Sequence, residues 1–203
     1  MTGADQPDKM PAGLTVYRLP RSHWHCHLWN FEWQHIIRPS KLEEYVMAFL
    51  HGIQDGKSSH MLLTGDPGSG KTHIGIGVYR VAAAVWGTEL CTWLNVPAFC
   101  ERVKRSYDPS VVDPWYDVEA AKRLVVLDDL FGKDLSPHEM NQILVRLLDT
   151  AYQNNAALLV TMNQSAEPTS RDLPSRLNPH EISRLLASAV VLPMIADKDW
   201  RRG

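Results

Sequence analysis

Apolar residues recur along this chain with two alternating rhythms. Leu42, Tyr45, Val46, Phe49, Leu50 and Ile53 fall three or four positions apart, which predicts a helix over 40–56 with one buried stripe. Ser40 followed by Glu43 has the spacing of a capping box at its start. His60 to Thr64 is then a short, nearly continuous apolar run that ends in a glycine-rich turn, and a second helical stretch is expected from about Gly70 to Trp86. Glu89 to Leu94 predicts a strand, and Pro97 opens a helix carrying Phe99, Cys100 and Val103. Residues 108–118 hold Pro109 and Pro114 and interrupt the pattern. Leu124 to Leu127, Ala157 to Thr161 and Ala189 to Leu192 are continuous apolar runs, the pattern of strands covered on both faces. Between them, Ser136-Pro137-His138-Glu139 and Asn178-Pro179-His180-Glu181 carry helix-start chemistry, the first leading into Ile143, Leu144, Leu147, Leu148 and Ala151. Strand and helix alternate five times, so the expected fold is α/β, a five-stranded parallel sheet with helices on both faces.

The 203 residues are 44% hydrophobic, enough for one well-cored domain. Lys and Arg number 21 against 23 Asp and Glu, so nucleic-acid contact must come from a local patch rather than bulk charge. The three cysteines, Cys26, Cys91 and Cys100, are odd in number and far apart, which argues against a disulfide framework and for a reducing, cytoplasmic setting. No apolar run reaches the roughly 18 residues of a membrane helix, and the first 13 residues lack the apolar stretch of a signal peptide.

Chemistry concentrates in Gly65-Asp66-Pro67-Gly68-Ser69-Gly70-Lys71-Thr72, which fits G-x-x-x-x-G-K-[ST] between a predicted strand and a predicted helix. Glycines let the backbone wrap so that its N–H groups, with the following helix N-terminus, face phosphate oxygens. Lys71 is placed to reach the β- and γ-phosphates of ATP or ADP, and the Thr72 hydroxyl to bind Mg²⁺. Asp128 and Asp129 end a buried strand on the side where ligands bind in open α/β sheets. Asp128 is expected to hold Mg²⁺, and Asp129 to polarise the attacking water.

With these residues in place, the sequence resembles the AAA+ ATPases of the DnaC/IstB type, bacterial and phage helicase loaders and transposition helpers. The resemblance rests on 19–24 with Asn30-Phe31, on the phosphate motif through His73, and on Leu124 to Leu130. It continues in Leu159-Val160-Thr161-Met162-Asn163, Ile182-Ser183-Arg184-Leu185 and Asp199-Trp200-Arg201. It implies a P-loop AAA+ domain over 19–203 behind a tail at 1–18, without a C-terminal helical lid. It also implies that Asn163 senses the γ-phosphate and that Arg184 is the arginine finger acting on a neighbouring subunit's ATP, with Arg171 and Arg176 as rivals. Arg201 becomes a second sensor and His73 part of the nucleotide site. A homo-oligomeric ring or spiral, single-stranded DNA, and a replicative helicase or a transposase are the partners it implies. Two departures stand out. The acidic pair is Asp-Asp rather than Asp-Glu, and only about 20 residues precede the core, where relatives carry a helical partner-binding region. The alternatives are a transposition helper on duplex DNA and a nucleotide-dependent switch that hardly hydrolyses; a small-molecule kinase fits less well.

Weaker signals remain. Arg102, Lys104, Arg105 and Tyr107 combine basic side chains with an aromatic, which suits a single-stranded backbone with base stacking, and equally suits a solvated helix end. His23, His25, Cys26, His27 and His35 are metal-ligand types, and in an extended segment positions 23, 25 and 27 share a face that suits zinc or copper. No second cluster has matched spacing, and the family resemblance implies that this segment packs over the nucleotide base. Trp24, Trp29, Phe31 and Trp33 are read as base-side packing and core.

Overall fold

The computed structural model describes residues 19–57, 59–106, 113–130, 137–163 and 189–196. Five strands form a single parallel sheet: β1 (His60–Gly65), β2 (Cys91–Asn95), β3 (Leu124–Asp128), β4 (Ala157–Asn163) and β5 (Ala189–Pro193), in the order β2-β3-β4-β1-β5. The intervening helices are α1 (Pro39–Gln54), α2 (Lys71–Trp86), α3 (Val96–Arg105), α4 (Tyr116–Ala120) and α5 (Pro137–Gln153). Successive strand residues point to opposite faces, and the core divides accordingly. Met61, Leu63, Leu124, Val126 and Leu159 join α1 and α2 on one face, while Leu62, Val125, Leu127, Leu158 and Val160 join α3, α4 and α5 on the other. This is the expected helix-covered α/β architecture. Among the described residues no helix is long and apolar enough to cross a membrane.

Three expectations need correction. α1 begins at Pro39 rather than at a Ser40 cap: proline's fixed φ suits the first helical position, and Arg38 enters it left-handed at φ 61° with no side-chain cap. α4 starts inside the break at 108–118 and runs on to Ala120, a turn and a half too short for periodicity to reveal. It is fixed by Trp115, whose ring meets Phe99 edge-on at 5.0 Å and lies 3.9 Å beneath the Arg146 guanidinium. Third, β5 is an edge strand paired only with β1, and it leaves Val190 exposed instead of buried on both faces.

Residues 21–36 are not extended. They run through three 3-10 turns, Arg21–His23, Leu28–Asn30 and Trp33–His35, the second laid against α2 and the third against α1. Arg80, on α2, donates from Nη1 to the Trp24 carbonyl at 2.7 Å. Gly77 explains itself here: a Cβ on it would stand 2.9 Å from the Leu28 backbone nitrogen and from its Cγ. Alanine would otherwise favour the helix by about 1 kcal/mol. Gly77→Ala is nevertheless expected to destabilise the fold by about 1 kcal/mol, because the clash includes backbone and overpacking costs more than propensity returns. Denaturant unfolding checks this, and a more stable variant would refute the close packing.

Candidate nucleotide site

The carboxyl ends of β1, β3 and β4 and the start of α2 open into one cavity of about 560 Å³, within the range of small-molecule sites. Its wall brings together Gly68, Gly70, Lys71, Thr72, His73, Asp128, Asp129 and Asn163, all singled out in the sequence, with Asn95, Thr161, Asn30 and Phe31. Gly70 caps α2 at φ 89°, and a side chain there would strike the Phe31 ring, whose Cε2 would lie 2.6 Å from the added carbon. Both demands exclude other residues.

Lys71 is buried, and its Nζ donates to the Gly65 and Asp66 carbonyls at 2.9 and 2.7 Å and to Ser69 Oγ at 3.2 Å. The ammonium is therefore held inside the loop by neutral acceptors. Facing it runs a line of hydrogen bonds. Thr72 Oγ1 donates to Asp128 Oδ1 at 2.9 Å, and Thr161 Oγ1 donates to the same oxygen at 2.7 Å. The Asp129 amide donates to Thr161 Oγ1 at 3.0 Å, and Asn163 Nδ2 donates to Asp129 Oδ1 at 3.0 Å. Asp129 holds a left-handed φ of 57°, a conformation that short polar residues tolerate best.

Burial pushes the Asp128 carboxyl above its ordinary value, and the neighbouring Asp129 charge adds to this. The Thr161 and Thr72 hydroxyls, with Asn95, pull the other way without cancelling it. A buried carboxylate beside a threonine hydroxyl is a hard oxygen donor set that suits Mg²⁺, and a divalent cation would restore the charged form that burial disfavours.

Sequence reading missed Thr161 and Asn95. Thr161 is the hinge of the line, since it donates to one acid and accepts from the next residue's amide. Thr161→Val is expected to cost about 2 kcal/mol in an unfolding experiment, because a buried carboxylate loses a donor and an amide loses its acceptor. Thr161→Ser should recover most of that. Equal losses in both would show that the hydroxyl is not what matters. Asn95 caps α3 through Oδ1, which accepts from the Ala98 amide at 3.2 Å.

His73 reaches the cavity, but its Nε2 is engaged by the His27 carbonyl at 2.9 Å and Asn30 Oδ1 at 3.0 Å. It ties residues 27–30 to α2, and burial lowers its pKa. Phe31 is buried against Trp33 and His73, as expected. Trp29 is 74% exposed and is not core, and Trp24 also lies largely at the surface, because each sits on the outer side of a 3-10 turn. Arg102, Lys104 and Arg105 occupy the last turn of α3, where Lys104 pairs with Glu101 at 3.3 Å. Tyr107, Arg171, Arg176, Arg184 and Arg201 lie outside the described residues.

The sheet order, the phosphate-type loop and the paired acids across from it make up a P-loop α/β fold. Comparison with solved structures agrees. The DnaC helicase loader superposes with a TM-score of 0.70 at 22% identity, covering 87% of this chain and 100% of that one. DnaI superposes at 0.65 and 18% identity, covering 87% and 95%. The replication initiator DnaA, bound to AMPPCP and single-stranded DNA, does so at 0.66 and 14%, covering 87% of this chain and 51% of its own. No protein-family model and no curated protein matches the sequence.

Proposed function

We propose that this chain is a Mg²⁺-dependent ATPase of the helicase-loader kind, acting in the cytoplasm on DNA replication as an oligomer with ATP sites shared between subunits. The observation that carries this reading is the line Thr72–Asp128–Thr161–Asp129–Asn163 set across one cavity from Lys71. Bound by Thr72 and Asp128, Mg²⁺ would supply positive charge against the charge that develops on the transferred phosphoryl group. Lys71 trades its loop carbonyls for β- and γ-phosphate oxygens, an exchange of neutral for charged acceptors that favours binding. The loop amides between Gly65 and Gly70, except at Pro67, and the α2 N-terminus cradle the remaining oxygens. Asp129 accepts a hydrogen bond from the attacking water, and Asn163 holds that carboxylate in place.

Arg184 completes the site from the next subunit, with Arg171 and Arg176 as alternatives, and Arg201 reads the nucleotide state from within the chain. A cation from a neighbour makes assembly depend on the γ-phosphate, since the contact exists only while that group is present. The likeness to the DnaC helicase loader supports a replicative helicase as partner, and the DNA-bound initiator supports single-stranded DNA. Arg102, Lys104, Arg105 and Tyr107 are the residues proposed to meet that strand. A transposase partner with duplex DNA is the rival within the same fold. The shorter Asp129, tied to Asn163, favours a second reading, a switch that binds ATP and turns it over slowly.

The deciding experiment is ATP turnover per chain against protein concentration, alone and with single-stranded or duplex DNA. The proposal expects a rate that rises with concentration, climbs further with single strands, and falls about 10²-fold or more in Arg184→Ala. Preference for duplex would shift the reading to a transposition helper. A rate flat in concentration and indifferent to Arg184→Ala would leave the monomeric switch.

A further inference from the structure

In the wall of the nucleotide cavity lies a second group of ligand-type side chains, to which the proposed ATP chemistry assigns no role. His25, Cys26 and His73 each offer one donor atom, and the three atoms lie within 4.8 Å of one another. They come from two separate elements, the turn after Arg21–His23 and the first turns of α2, so the fold and not local sequence assembles them. We propose that His25, Cys26 and His73 bind a Zn²⁺ ion, pinning residues 21–36 to the start of α2.

Three observations bear on this. First, His25 Nε2 and Cys26 Sγ are 3.8 Å apart. Tetrahedral Zn²⁺ with ordinary Zn–S and Zn–N bonds separates such a pair by about 3.6 Å, so these two need almost no movement. The rings of His25 and His73 meet edge-on with centroids 6.0 Å apart, which sets the third donor beside them.

Second, the surroundings fix the donors. His73 Nε2 faces two oxygens, the His27 carbonyl and Asn30 Oδ1, and therefore carries the hydrogen. That leaves Nδ1 as the lone-pair nitrogen, and a ligating histidine ordinarily donates its other N–H in this way. Asn30 also donates from Nδ2 to the His25 carbonyl at 2.7 Å and accepts from the His27 amide at 3.1 Å, so one side chain holds the backbone on both sides of Cys26.

Third, the donor types suit the ion. One thiolate and two imidazoles form a borderline-soft set, and three protein ligands leave a fourth position for water. Cys26 is buried, and burial pushes its thiol up to about 11, with Arg80 lowering it and Asp128 raising it to lesser degrees. Zn²⁺ binding would drive that proton off, so each ion bound releases one proton near neutral pH. Cys91 and Cys100 are also buried and without disulfides, but neither belongs to this group.

The test is titration of the full chain, first stripped of metal with a chelator, with Co²⁺ as a spectroscopic stand-in and then with Zn²⁺. The expected result is one Co²⁺ per chain with a thiolate-to-metal charge-transfer band that Zn²⁺ displaces. The band should vanish in Cys26→Ser, while His25→Ala, at an exposed position, should weaken binding roughly 10-fold or more. His23→Ala, next in line but outside the group, should bind as the parent does. No charge-transfer band in the parent would overturn the proposal. So would a band surviving in Cys26→Ser, or equal weakening by His23→Ala and His25→Ala. Should Cys26→Ser fail to fold, the contrast between the two histidine variants still decides.

Discussion

Replacing Lys71 with alanine is expected to lower ATP turnover about 10²–10³-fold and to weaken nucleotide binding sharply. The side chain is buried, and its Nζ sits among Gly65 O, Asp66 O and Ser69 Oγ, the centre of the loop that phosphate would enter. No other cation of the described residues lines that cavity. Removing one preorganised charged donor from such a site costs on the order of 3–4 kcal/mol in the transition state. The fold should survive, because the carbonyls it leaves can be met by solvent in an open cavity. Titration with a fluorescent ATP analogue, alongside a thermal melt, separates lost binding from lost structure. A variant that binds ATP with the parent's affinity would remove Lys71 from the site.

The second large effect is expected at Asp128, and it has two signs. Asp128→Asn should eliminate Mg²⁺-dependent turnover, since an amide oxygen beside Thr72 is a poor partner for a divalent cation. Without metal, the same change should stabilise the protein by about 1 kcal/mol. The sign follows from linkage. Burial raises the carboxyl's folded pKa above its unfolded value, so between the two the folded state binds more protons than the unfolded one. Stability is therefore lost as pH rises through that window, and above it the parent carries the full cost of a buried charge. Asparagine removes the charge while Oδ1 still accepts from Thr72 and Thr161. Unfolding curves over a series of pH values should show the gap between parent and variant narrowing as pH falls through that window. A gap independent of pH would sink this account.

These two residues were legible because their signals are local. A glycine-rich loop between an apolar run and a helical stripe, and two acids closing a buried strand, are patterns of neighbouring positions. Thr161 shows what local pattern leaves out. In the sequence it is one polar residue in an apolar run. Its meaning comes from β4 lying between β3 and β1, a strand order that periodicity does not encode, with Thr161 level with Leu63 and next to Asp128. His73 is a similar case: adjacency to Thr72 marked it, but its partners stand 43 and 46 residues earlier. The segment of 23–27 turns instead of extending, and the ligand group that forms takes His25 and Cys26 from it and recruits His73 from α2. Short elements fared worst. α4 and the Arg38 entry to α1 depend on Trp115 packing and on proline geometry, neither of which leaves a repeat to count.

The chain beyond β5 has one more consequence. Met194 donates its amide to Thr64 at 2.7 Å, Ile37 donates to Ile195 at 2.9 Å, and Ile36 bridges Ala196. A Cβ on Gly65 would run into the Met194 carbonyl, so this crossing presses directly on the first residue of the phosphate loop. Segments near both ends of the described fold are thus latched to each other across the back of that loop. Amide hydrogens at 37 and 194 should exchange together and slowly, as one cooperative unit. A protein or nucleotide that pulls on either segment would then be felt at Gly65 without touching it.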